Sequence, residues 1–70
     1  MSETKEYAPH EQRVIEEYKE LSLKTLALCD FIYDSPIFLG LDIPERDRLK
    51  RQYKAMCEYQ DVLKERILNF

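Results

Sequence analysis

One glycine, three prolines, one histidine, two cysteines and no tryptophan are spread through 70 residues. A single glycine excludes the Gly-rich loops whose backbone cradles phosphate in many nucleotide-using enzymes. It also leaves few points at which the chain can reverse, so there is room for two or three elements. Cys29 and Cys57 form no CxxC pair, and with a lone histidine the ligands for a common zinc site are missing. No nucleophile motif, no HExxH and no evident carboxylate pair is present. The chain therefore reads as a binding protein rather than an enzyme, with no catalytic residue, metal or cofactor assigned. Long apolar runs are absent as well: the N-terminus MSETKEYAPHEQ is polar, and no stretch approaches the roughly 18 apolar residues of a membrane span. The expectation is a soluble protein of a reducing cytoplasm, with both cysteines as buried free thiols.

What remains is a helix-friendly mixture of 44% hydrophobic and 36% charged residues with a net charge of -3. That balance argues against nucleic acid as a partner, whose binders carry a strongly basic footprint. The charge is uneven. Residues 36–70 hold seven Lys/Arg against six Asp/Glu, and RDRLKRQYK (46–54) alone holds five bases and one acid. Such a run is either a solvated helix face or a seat for phosphate.

Apolar periodicity predicts an all-α antiparallel hairpin, with helices over about 9–34 and 43–69 and a short helical turn between them. Residues 1–8 read as a flexible N-terminal segment, and 9–70 as a single domain. Val14, Tyr18, Leu21, Thr25, Leu28 and Ile32 recur at alternating spacings of about four and three, the stripe of one helix face. Leu49, Tyr53, Met56, Gln60, Leu63, Ile67 and Phe70 repeat the pattern. Pro9 suits a first helical turn. Ser35-Pro36 disfavours helical continuation and lets Ser35 cap PIFLGL, which Gly40 ends. Asp42, Pro44 and Glu45 supply the cap, the early proline and the capping-box acid of the second helix. Antiparallel pairing sets Ile32 beside Leu49, Leu28 beside Tyr53, Thr25 beside Met56 and Val14 beside Ile67.

That pairing leaves apolar surface over. LALCDFIY (26–33) is apolar around nearly its whole circumference, and a second row, Ile15, Leu26, Cys29 and Tyr33, lies about 100° from the first. Ile37, Phe38 and Leu41 cover only part of it. Surplus of this kind marks an interface, and further copies of the same chain in a closed homo-oligomer are the expected cover.

Two basic clusters are candidate ligand sites. His10, Gln12 and Arg13 crowd the start of the first helix, where free N–H groups favour an anion, and Arg66 reaches the same end. Arg46, Arg48, Lys50 and Arg51 sit at the start of the second helix, some 35 Å away by the helical rise. Tyr7 and Tyr59 are placed to stack on a base, whereas Tyr18 and Tyr53 belong to the core.

The segments PHEQRVIEEYKEL (9–21), FIYDSPIFLGL (31–41), ERDRLKRQYKAM (45–56) and YQDVLKERI (59–67) resemble a family of short phage proteins named after an open reading frame of a crAss-like phage. Pro9, His10, Gln12, Arg13 and Val14 match its opening motif. Phe31, Ile32, Ser35 and Pro36 match the second motif. Leu49, Gln52, Met56, Tyr59, Leu63, Arg66 and Ile67 match the rest. The resemblance implies a phage origin and hence the cytoplasm of an infected bacterial host. In size and architecture the chain is also similar to phage anti-CBASS and anti-Thoeris sponges, small helical hairpins that hold nucleotide immune signals between subunits. That similarity implies an anti-defence protein that sequesters a cyclic oligonucleotide or cyclic ADP-ribose signal without turnover. Arg13, Arg46, Arg48, Arg51 or Arg66 would hold phosphate, His10 or Gln12 would read a base edge, and Tyr59 would stack on it. The alternative is an oligomeric interaction protein that inhibits or scaffolds a host or phage protein.

Overall fold

A computed structural model of the chain describes residues 6–70. Three helices follow one another: α1, Pro9–Asp34; α2, Pro36–Leu39; and α3, Ile43–Leu68. The long helices pack side by side as an antiparallel hairpin of 51 × 22 × 15 Å. Of the segment expected to be flexible, residues 1–5 lie outside the described residues. Tyr7 and Ala8 are held in place. The Tyr7 ring meets Phe70 edge-on at 6.0 Å, and the Ala8 N–H donates to Glu11 Oε1 at 2.9 Å. Tyr7 is thus committed to the hairpin end rather than free to stack on a base.

Helix starts and stops follow the local chemistry. Ala8 has no capping side chain, but its carbonyl accepts the N–H groups of Glu11 and Gln12. Ser35 ends α1 and begins α2, its hydroxyl accepting the Ile37 N–H at 3.2 Å. Asp42 caps α3 by accepting the Glu45 N–H at 3.0 Å. The Glu45 carboxylate does not complete a capping box. It turns outward to Arg48 Nε at 2.8 Å, an exposed (i, i+3) ion pair that contributes little to stability. Gly40 closes α2 with its N–H bonded to Ile37 at φ -84°, a conformation open to any residue.

The core is a narrow seam. Val14, Leu21 and Leu63 form its centre, with Tyr18, Met56, Ile67 and Phe70 packed against them. Leu63 is the most deeply buried side chain, 1% exposed. Thr25 is also buried, and its hydroxyl is satisfied by the Leu21 carbonyl of the preceding turn at 2.7 Å. Near the connector, Ile32 and Phe38 are buried, and Phe38 meets Phe31 edge-on at 6.1 Å. Phe38 therefore covers one end of LALCDFIY. Ile37, expected to help, points outward at 66% exposure.

Truncating Leu63→Ala empties the centre of a seam that has little to collapse into it. Urea unfolding followed by circular dichroism should show a loss of about 2–5 kcal/mol. Asp42→Ala, which removes only a cap, should cost about 1 kcal/mol.

Candidate functional site

The residues singled out from the sequence fall at the two ends of the hairpin. His10, Gln12, Arg13 and Arg66 are exposed at the open end, where α1 begins and α3 finishes. Arg46, Arg48 and Arg51 lie at the connector end, on the first turns of α3. Tyr59 is 45% exposed on α3, between the two clusters. One chain does not bring the clusters together.

At the connector end the side chains of α3 frame an open depression of about 600 Å³. Its lining is Ile43, Pro44, Asp47, Arg48, Lys50 and Arg51. The α3 N-terminus contributes the positive end of the helix dipole, but Pro44 has no N–H and Asp42 already takes those of Glu45 and Arg46, which leaves the Ile43 N–H in the first turn. Arg48 and Arg51 present guanidinium forks that suit phosphate oxygens. Ile43, 64% exposed, adds a flat apolar surface beside them. Two restraints temper the charge. Arg48 is engaged with Glu45, and Lys50 leans over the Phe38 ring, its Nζ 6.0 Å from the centroid. Arg46 is half-buried against the hairpin, and its buried Nε has no hydrogen-bond partner among the described residues. Lys50 was read from the sequence as a member of this cluster, but its position over Phe38 depends on the fold of the connector and was not foreseen.

A second feature was not foreseen. Midway along the hairpin, a groove of about 350 Å³ crosses from α1 to α3. It is lined by Ser22, Thr25, Leu26 and Cys29 on one side and by Tyr53, Cys57 and Gln60 on the other. Cys29 and Cys57 are free and half-buried rather than fully enclosed. Tyr53, expected in the seam beside Leu28, lines this groove beside both thiols. Hydrogen bonding to Cys29, then to Cys57, and the charge those thiols acquire on ionising push its phenol from the usual 10.0 up to about 12. A raised phenol pKa keeps the native state protonated where the unfolded chain has already ionised. The contribution of this group to stability is therefore complete below pH 10 and is lost as pH rises from 10 towards 12. Ultraviolet difference titration should find a tyrosine step at about pH 12 that a Tyr53→Phe variant lacks. A Cys29→Ser/Cys57→Ser variant should bring that step back towards the ordinary value.

Comparison with known proteins places this hairpin. The chain is 38% identical over 61 residues to a 7.5 kDa protein from the denB-rIIB intergenic region of Enterobacteria phage T4. The match spans 87% of this chain and 94% of that protein. No solved structure matches. The resemblance to short phage proteins thus holds at that level, without pointing to a crAss-like phage specifically. Residues 8–69, from the N-cap of α1 to the C-cap of α3, match the Sequestin family model, and the chain belongs to the Sequestin family.

Proposed function

We propose that the chain is a phage anti-defence protein that sequesters a nucleotide immune signal, of cyclic oligonucleotide or cyclic ADP-ribose type, as a homo-oligomer and without turnover. The carrying observation is the open depression at the start of α3. There, the guanidinium forks of Arg48 and Arg51, Lys50, the positive end of the α3 dipole and the exposed Ile43 border one depression that a phosphate-bearing ligand could enter. The family name, with its sense of sequestration, supports the same reading.

Charge decides how much one copy contributes. On residues 42–51 four cations face three acids, so the local surplus is a single positive charge. A dianionic ligand held against solvent needs more than that, together with walls on further sides. Further copies supply both, which is why self-association belongs to the reading. Arg48 exchanges Glu45 for phosphate at little cost, because the exposed pair it gives up is weak.

Exposed Leu23 and Leu39, 70% and 71% exposed, favour a second reading, an interaction protein that blocks or scaffolds a host or phage protein. Calorimetry against cyclic di- and trinucleotides and cyclic ADP-ribose isomers separates the two, with chromatography of the recovered ligand. Sequestration requires saturable binding of at least one nucleotide, recovered intact. Arg48→Ala/Arg51→Ala should weaken it by roughly 10- to 100-fold, the range for a lost charge-assisted hydrogen bond. If Arg13→Ala/Arg66→Ala weakens it instead, the site lies at the open end. Indifference to every nucleotide, or conversion of the ligand, rejects sequestration, and pull-down of a protein partner follows.

A further inference from the structure

The hairpin has two broad faces, and the groove marks one of them. Along α1 this face carries an apolar strip of Leu26 and Cys29, and along α3 Tyr53 and Cys57, with the small or polar Ser22, Thr25 and Gln60 between and beside them. Leu26 is 59% exposed, so this apolar strip is not covered by the chain's own fold. The two longest extents of the hairpin are 51 and 22 Å, so a broad face has room for the roughly 800 Å² per partner that a specific dimer buries.

The charges flanking the strip follow a pattern. On α3, Lys54 and Asp61 are seven residues apart, two helical turns, and therefore on one side of the helix. Their midpoint falls at Cys57 and Glu58. On α1, Lys19 and Asp30 are eleven residues apart, about three turns, and again share a side. Their midpoint falls at Lys24 and Thr25. Thr25 and Cys57 line the same groove, so the two midpoints are level across the hairpin. All four residues are exposed, and none is in an ion pair within the chain among the described residues. A half-turn about an axis through that level exchanges the Lys and Asp positions on both helices at once.

We propose that this face is where a second copy of the chain docks, rotated by that half-turn, so that each long helix lies antiparallel to its own counterpart. Lys54 then faces Asp61 of the second copy and Lys19 faces Asp30 of the second copy, each twice by symmetry, along the rim of the apolar strip. The docked strips make an antiparallel four-helix arrangement. Cys57 comes next to Cys57 of the second copy. Cys29 stays well away from its own counterpart, because it lies about four residues from the axis on each copy and about 1.5 Å of rise separates successive residues. The orientation also sets the connector end of one copy beside the open end of the other, so both basic clusters stand at each end of the pair. This inference rests on the self-association proposed above and on no ligand.

Sedimentation and light scattering of the ligand-free chain test it, with circular dichroism to confirm that each variant is folded. Lys54→Asp and Asp61→Lys should each raise the dissociation constant of the dimer about tenfold or more, and the double exchange should restore it. A short bis-maleimide should link two chains of Cys29→Ser through Cys57, but should not link two chains of Cys57→Ser. A wild-type chain that is monomeric at every concentration overturns both this surface and the self-association in the proposed function. An oligomer unmoved by either charge reversal, or linked through Cys29 instead, overturns this surface alone.

Discussion

Two packed helices share one seam, and the rest of this molecule follows from that limit. Each helix turns roughly 100° per residue, so a single neighbour shields only one stripe of it. Here the stripes converge on Leu63, the one fully enclosed side chain among the described residues, with Val14, Leu21, Ile32 and Phe38 the other buried hydrophobic ones. At about 1.5–3 kcal/mol for each buried aliphatic or aromatic side chain, such a seam offsets only part of the entropy of ordering the chain. The fold is therefore sensitive to its centre. It also leaves Leu23, Leu26, Tyr33 and Leu68 in water.

The connector works against the same shortage. Ser35 serves as the C-cap of α1 and the N-cap of α2, which makes the reversal compact and drives Phe38 back over the end of the seam. Phe38 takes Phe31 on its edge and Lys50 over its ring. A structural need thus fixes one of the cations of the candidate site. Arg48 is restrained differently, by a surface carboxylate it can leave. The depression at the start of α3 has one cation held by packing and others available to a ligand. At the opposite end, Tyr7 is held against Phe70, which closes the seam there.

The sequence was most informative where local rules act alone. The bounds of α1 agree with Pro9 and with Ser35-Pro36, and α3 begins after Asp42 as its cap requires and ends one residue short of expectation at Leu68. Burial of Val14, Leu21, Thr25, Ile32 and Leu63 was legible in the spacing. Features that depend on side chains meeting across the hairpin were not. Spacing puts Tyr53 on the stripe but cannot show that its hydroxyl lies beside two thiols from different helices. Glu45 fits a capping box by position, yet Arg48 one turn on outcompetes the backbone for its carboxylate. Apolar neighbours at helical positions gave the two cysteines as buried, but a two-helix protein has too little interior to enclose residues at the margin of its stripe. The two basic clusters were recognisable, and so was their separation by the length of a helix.

A protein that only holds its ligand needs enclosure more than it needs chemistry. Nothing has to be pre-organised for a transition state, so the absence of paired acids and bases costs such a protein no function. Affinity must instead come from removing most of the ligand surface from water while its charges find partners. An open depression on one side of one helix cannot do the first, and a local surplus of one positive charge is poor at the second. Both shortfalls are shortfalls of a single chain. In the antiparallel pair proposed above, the connector end of one copy would carry Arg46, Arg48 and Arg51 next to the open end of the other, with His10, Arg13 and Arg66. Each end would then hold twice as many kinds of donor and a second wall. The apolar surface that a two-helix fold cannot bury would hold those walls together. Incomplete burial and an incomplete site are, in this account, the same deficiency, and one docking event removes both.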